Sequence, residues 1–591
     1  MIGGWLLAVT LSLGSGDTLL FDAKSAPALE AHPTNPDRAF IADSESDPGV
    51  YQIRIAPAQS LAYASPGTDY HLPAGMNCTE SLFNTPRIGG FWLEPPPATR
   101  GWITTSACEL LVPFNHATGA GVTVSWSGSN RTSIPTRHQL TGAFTRYQNG
   151  GGGASISSFF TNFTSAAVRV GNRLVVTTSN VQQTGPNPVF NPGTVLFFSI
   201  DESGPTPLLA PASPFFAVTS DPNPVGLTVL PGGRVAVTNA GIFDVAFPPL
   251  VTGQGSVDIL DAATGSFVGS IPVGAGNPMG PLELDPTGSV GITGSATHRR
   301  LYAFDARGLE SLAAVGADPR VQRPSCNNSS AASAGGVPCL RERVIRGAAN
   351  PVVLPPPPGG SGVFSYVPTV RFGPAGDFAV ATSFNDGGLA FVAFDPRNLT
   401  RPHPLLASRF GPPETLAATG PAGVIGAECC PGPLLMRADG AGGLTTSDAL
   451  FVTASPNGYV VRVHPGGALV TPTGDADADG VEDALDVCPV EPNPSPQADT
   501  GGVGDGSPAD GIGDPCQCGD VSNDGRVTPD DATALRGFLA NPAAPLAAPQ
   551  KCDVGGATPA GACDLLDAVR LRRALAGAPQ GIAHVCAPFV P

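Results

Sequence analysis

The sequence predicts a mainly β protein built from repeated antiparallel units, followed by an acidic irregular segment and a small α-helical module. Three observations predict it. Gly (75) and Pro (64) far exceed ordinary usage in a 591-residue chain that is still 41% apolar, a composition that disfavours long helices yet buries enough surface to offset chain entropy. Short apolar runs ending in Thr, Ser or Asn recur through the first 470 residues. Apolar spacing at 3.6 residues is almost absent before residue 530 and then appears in two short segments. At this length one hydrophobic core is not enough, so two to four domains are expected.

The repeated unit is a strand, a variable loop and a second strand that often ends in Asp. RAFIADS (38–44) precedes GVYQIRI (49–55), and GWITTS (101–106) precedes ELLVPFN (109–115). The pattern continues with NRLVVTTSN (172–180) before TVLFFSID, GGRVAVTNAG (232–241) before SVDILD, and GSVGITGS (288–295) before RLYAFD. GDFAVATS (376–383) before LAFVAFD and DALFVTAS (448–455) before GYVVRV complete seven units. Lead-in strands closed by a Pro/Gly turn occur at LTVLPGG (227–233), LELDPTG (282–288) and VRFGPAG (370–376). Each unit thus supplies three or four short strands and cannot cover both faces alone, a problem that radial packing solves.

This rhythm resembles the seven-bladed β-propeller families and spans residues 17–470, with a pair of β-sandwiches as the competing architecture. Spacings of roughly 60–85 residues against ~40–50 in common blades require long loops. Two stand out: 317–362, with Cys326, Cys339, LRERVIRG and PPPP, and QNGGGGAS at 148–155. Each is a site for function or a tolerated insertion.

Hydrolase, metalloprotease and phosphate-loop signatures are absent from the sequence. The eight histidines are dispersed, as at His32, His298 and His464, and read as surface or loop residues. Propeller enzymes gather catalytic groups from different blades, so Asp43, Asp258 and Glu283 are the acidic candidates for acid–base work. Nothing in the sequence pairs them, and the catalytic set is unknown.

Residues 1–16 carry the apolar stretch of an export signal without a preceding Lys or Arg. The alternatives are an atypical signal, a displaced start, or a buried first strand. No later stretch has the ~20 apolar residues of a membrane helix. Twelve cysteines, without zinc-type spacing, indicate disulfides and an oxidising, extracellular setting. Cys326 and Cys339, Cys488 and Cys516, and Cys552 and Cys563 lie near one another in sequence and are the candidate pairs, while Cys429 and Cys430 adjoin.

The net charge of −17 is concentrated, with eleven acidic residues and no Lys or Arg between Asp475 and Asp514. That field suits cations and repels nucleic acid. Within 474–516, Asp475, Asp477 and Asp479 alternate, Gly480 permits a sharp turn, and Asp483 and Asp486 return further oxygens, the donor type calcium takes. The run through Cys488 and Pro489 resembles the thrombospondin type 3 repeat. The resemblance implies a Ca²⁺-ordered spacer held by a Cys488 to Cys516 bridge, which becomes a flexible tether without the ion.

In 517–591, DVSNDGRVTPDD follows the EF-hand order: Asp520, Ser522, Asp524, the Arg526 carbonyl, Thr528, and Asp531 at position twelve, with Gly525 at six. A helix with Leu535, Phe538 and Leu539 on one face follows. The unit repeats at 552–577, with Asp553, Asp564 and Asp567 at positions one, nine and twelve and a helix at 568–576. This duplication resembles the type I dockerin. In the second loop Gly555 replaces a ligand and three residues are inserted, so Cys552 and Cys563 are candidates to close it covalently. In dockerins, positions ten and eleven commonly recognise a cohesin; here they are Pro529 with Asp530, and Leu565 with Leu566.

The combined expectation is an exported, calcium-binding protein. A propeller presents a binding surface for a polysaccharide or protein ligand, and the C-terminal module attaches it to a cohesin-like protein or cell-surface component. The alternative is a dockerin-bearing glycoside hydrolase or lyase in polysaccharide catabolism; a third reading is a purely structural surface protein.

Overall fold

In the computed structural model, the described residues of the N-terminal part are 18–20, 28–43, 49–55, 62–63, 70–71, 88–105, 111–117, 138–148, 154–159, 161, 163–184, 187–203, 208–242, 255–274, 277–296 and 300–315. Beyond them are 338–344, 352–353, 367–373, 376, 378–383, 388–393, 409–410, 414–415, 431–437, 449–454, 459–463, 487–488, 498–508, 512–554 and 563–576. The expectations for residues 1–16, His298, Cys326, Cys429 and Cys430, His464, Asp475, Asp477, Asp479, Asp483, Asp486 and Gly555 lie outside the described residues.

All seven strand pairs read from the sequence form antiparallel ladders, beginning with Arg38–Asp43 against Gly49–Arg54 and ending with Ala449–Ala454 against Tyr459–Val463. Each pair belongs to a larger sheet, and all but Arg100–Thr105 with Leu111–Asn115 form its middle. Pro224–Leu230, Arg234–Asn239, Gly255–Asp261 and Phe267–Gly274 follow one another as a four-stranded meander. Thr164–Val170, Arg173–Thr178, Thr194–Asp201 and Leu208–Val218 do the same.

The first strands pack sheet to sheet. Ile88–Leu93 meets Thr164–Val170, which meets Pro224–Leu230, which meets Pro278–Leu284; Val370–Phe372 and Pro431–Arg437 continue the series, and Pro431–Arg437 returns to Leu29–Ala31. The fold is propeller-like. Its ends meet as well: Thr18–Leu20 pairs antiparallel with Tyr459–Val463, so one sheet combines the first and last strands of the unit.

Packing on both faces explains the sequence rhythm. In Arg38–Asp43, Arg100–Thr105, Arg173–Thr178 and Arg234–Asn239 only the leading Arg is partly exposed, and the next five residues are buried. A strand covered on both sides reads as an unbroken apolar run, and period-two alternation disappears. Apolar clusters fill the spaces between consecutive sheets: Val175, Phe197, Val235, Val237 and Phe267 form one, and Ile259, Leu282, Tyr302 and Phe304 belong to the next. Full burial of each Phe contributes about 1.5–3 kcal/mol.

Hydroxyls of the first strands also tie neighbouring sheets together. Thr164 Oγ1 donates to the Thr105 carbonyl at 3.0 Å, Ser165 Oγ to the Pro224 carbonyl at 2.6 Å, and Thr228 Oγ1 to the Leu282 carbonyl at 2.7 Å, each joining two sheets. At two points the backbones of consecutive sheets come too close for side chains. A Cβ on Gly226 would lie 2.1 Å from the Gly280 carbonyl oxygen, and one on Gly294 2.0 Å from that of Val367.

Three loop expectations are corrected. The sequence flanking residues 149–153 is a hairpin, His138–Gln148 with Ala154–Phe159, extended by Asn187–Phe190 and Val181–Thr184 into a further sheet. Its Phe159 enters the core beside Trp102 and Leu196. Within 317–362, Val352–Val353 pairs with Arg300–Leu301 as an outer strand. The same stretch places Leu340 against Gly269, where a Cβ would meet the leucine at 2.6 Å, so its described residues 338–344 are packed against a sheet. Finally, His116 is buried, its ring near His32 and Phe40, because it directly follows the buried strand Leu111–Asn115.

Two helices follow, α1 (Pro529–Ala540) and α2 (Leu565–Leu575). They share a small core in which Leu535, Leu571, Val521 and Val527 are fully buried and Phe538 and Leu539 pack at the edge. Helix α2 starts three residues before the sequence expectation because Asp564 caps it, accepting from Leu566 N at 2.7 Å and Asp567 N at 3.1 Å. Among the described residues no helix is long and apolar enough to cross a membrane.

Candidate functional site

The loop before α1 is shaped by two left-handed residues, Asn523 (φ 60°) and Gly525 (φ 85°). Glycine is required at 525 twice over, since a Cβ there would also lie 2.7 Å from the Asp514 carboxylate. The turn brings one oxygen each from Asp520, Asp524 and Asp531 within 4.8 Å of one another. Oxygens bound at 2.3–2.6 Å around one calcium ion span that distance, and an all-carboxylate set is hard-donor chemistry. The residues therefore fit a divalent cation.

Each carboxylate is oriented by the backbone. Asp520, fully buried, accepts from Asp524 N and Gly525 N, both at 3.0 Å. Asp531, also fully buried, accepts from Ser522 N at 2.8 Å and Thr528 N at 2.7 Å. Asp524 is exposed and accepts from Arg526 N at 3.1 Å. The Ser522 hydroxyl lies 3.4 Å from Asp520 Oδ1, and Thr528 Oγ1 lies 3.1 Å from Asp531 Oδ2, so both predicted hydroxyl donors stand beside the carboxylates.

The acidic segment is built into this loop. Val503 bridges Val527, loop position eight, and Arg526 donates to the Thr500 carbonyl through Nε at 3.2 Å and Nη2 at 2.9 Å. Asp514 accepts from Thr500 N at 2.6 Å and Oγ1 at 2.7 Å. The Cys488–Cys516 bridge, with Ile512, makes a small core below it. The second loop is closed by the Cys552–Cys563 bridge. Cys339 and Cys518 are disulfide-bonded too.

Sequence reasoning missed Lys551, whose ammonium reaches Asp520 Oδ2 at 2.9 Å while only 1% exposed. Its one available signal was rarity, as one of two lysines in the chain.

A second concave feature lies among the first strands of the sheets. A cavity of about 590 Å³ is lined by His32, Thr34, Glu283, Pro286, Phe372 and Leu435. Nearby, Arg371 bridges Glu283 at 3.0 Å and Glu30 at 3.5 Å. His32 Nδ1 accepts from Thr34 N and Asn35 N, and burial lowers the pKa of both His32 and His116.

The acidic candidates fall on different sheets. Asp43 ends a second strand, Asp258 sits in a third strand and Glu283 in a first strand of another sheet. Asp258 is fully buried and accepts from Ser220 N and Asn239 Nδ2, both at 2.8 Å, and from Ser220 Oγ at 2.5 Å. Burial raises its carboxyl, and these bonds hold the strand connection at Ser220 in place.

The chain matches no protein-family model and no curated protein sequence. Among solved structures it is similar to the β-propeller domain of Cps50 (Swd1) from Myceliophteria thermophila, at 10% identity and TM-score 0.37, over 76% of this chain and 99% of that one. Kluyveromyces lactis Hsv2 is 10% identical with TM-score 0.35, over 73% of this chain and 90% of that one. The Dos1 propeller is 9% identical with TM-score 0.35, over 78% and 97%. These are distant likenesses of fold.

Proposed function

We propose that this is an exported calcium-binding protein in which a seven-bladed propeller, residues 17–470, is a recognition scaffold. The sheet of His138–Gln148, Ala154–Phe159, Val181–Thr184 and Asn187–Phe190 is then additional to the blades, its last two strands inserted within one of them. A thrombospondin type 3-like spacer (474–516) and a dockerin-like module (517–591) attach the scaffold to a cohesin-like protein or cell-surface component.

The observation that carries the proposal is the convergence of Asp520, Asp524 and Asp531 in a loop that starts a helix, repeated once with a disulfide-closed second loop. Ser522, Thr528 and the Arg526 carbonyl would complete the calcium shell. Further calcium would be held by Asp475, Asp477, Asp479, Asp483 and Asp486. The attachment face is supported by α2, where Leu565, Leu566 and Val569 are 71%, 48% and 46% exposed.

Screening the whole protein for binding and cleavage on a polysaccharide panel tests the scaffold. Binding without turnover is the expected result, and cleavage favours the carbohydrate-active enzyme. Calcium titration of the wild-type chain and Asp524→Ala tests the metal site, with a binding event expected to vanish in the variant.

A further inference from the structure

Lys551 Nζ donates to Asp520 Oδ2 at 2.9 Å, Asn523 Oδ1 at 2.7 Å and the Asp514 carbonyl at 2.8 Å. An ammonium has three protons, and here each has an acceptor. The acceptors belong to separate stretches: Asp514 near the end of the acidic segment, and Asp520 and Asn523 in the first loop. Lys551 itself lies in the Pro549–Lys551 turn beside Cys552.

Without a cation, three carboxylates this close repel one another, and two of them, Asp520 and Asp531, are fully buried. Asp520 divides its contacts in a way that accommodates two cations. Its Oδ1 accepts from Asp524 N and lies beside the Ser522 hydroxyl, whereas Oδ2 takes Gly525 N and the lysine. A calcium ion bound through Oδ1 leaves the Oδ2 to Lys551 contact intact.

We propose that Lys551 is a built-in counter-cation that holds the first loop closed when calcium is absent, so that the ion binds a loop already formed. The inference rests on the calcium reading of that loop, and it makes the module's fold, unlike an ordinary EF-hand-type loop, independent of the ion.

Hydrogen–deuterium exchange of the full chain, read on peptides spanning 519–531, tests it. In chelator the wild-type peptides are expected to stay protected. Lys551→Met should exchange at least about tenfold faster in chelator, because a buried carboxylate has lost its partner, and millimolar calcium should restore protection. Lys551→Arg, which keeps the charge, should remain protected in chelator.

The proposal is overturned if Lys551→Met exchanges as slowly as wild type in chelator. It is equally overturned if Met and Arg variants are exposed alike, or if the Met variant stays exposed with calcium while wild-type titration heat shows that the site binds. A wild-type chain whose calcium heat is unchanged by Asp524→Ala would instead sink the calcium reading of this loop, while the chelator comparison still decides what Lys551 does.

Discussion

The two loop–helix repeats begin their helices in the same way and close their loops in different ways. Asp531 accepts from the Thr528 backbone N–H at 2.7 Å, and Asp567 accepts from that of Asp564 at 2.8 Å. Both aspartates are buried, and each helix buries one leucine completely, Leu535 or Leu571. In the first loop, carboxylates converge beside Lys551; in the second, Cys552 and Cys563 are joined. An aspartate at position twelve therefore has two separable jobs, capping a helix and facing a cation. In the second repeat Asp567 does the capping job.

The strongest way to break this comparison is to open the second loop. Cys552→Ser with Cys563→Ser releases an 11-residue separation, expected to cost about 3 kcal/mol, measured by denaturant unfolding followed through exchange of the α2 peptides. Chelator should add little to that loss, and a large additional effect would mean that the second loop also relies on an ion.

Next in size are Asp531→Ala and Asp567→Ala. Both leave buried backbone donors unmatched, at about 1–3 kcal/mol each, but only Asp531→Ala should also abolish a calcium-binding event in calorimetry. Equal calcium heats in the two variants would erase the distinction.

The smallest and sharpest test pairs Asp524→Ala with Asp564→Ala. Asp524 is exposed, so its loss should change stability in chelator by less than about 0.5 kcal/mol while removing calcium binding. Asp564→Ala should do the reverse, keeping the titration and losing about 1 kcal/mol of helix capping.

Much of this was legible in the sequence because burial on both faces leaves a strong mark. A strand such as Arg173–Thr178 is apolar throughout between an Arg and a Thr pair, and its partner Thr194–Asp201 is equally plain. The hairpin at His138–Gln148 was missed because polar residues and a glycine interrupt it and a run of glycines, 150–153, follows. Val352–Val353 was missed because two residues before a proline run carry no period. In the C-terminal module, spacing alone picked out Asp520, Asp524 and Asp531, which one local loop brings together. Lys551 lies 31 residues from Asp520 in sequence, and no local pattern encodes a contact made only after the two repeats fold together.

The pairing of Thr18–Leu20 with Tyr459–Val463 has a mechanical consequence. Tyr459–Val463 is the last described strand before the acidic segment, and it is laddered on both sides, by Ala449–Ala454 and by Thr18–Leu20. If the C-terminal module is anchored and the ring grips a ligand, tension enters through the end of that strand and runs along its axis. Two antiparallel ladders must then shear together, whereas an outermost strand would peel away one bond at a time. The N-terminal strand thus clamps the anchor line from the far side, and a chain lacking residues 18–20 should give way under a smaller pull.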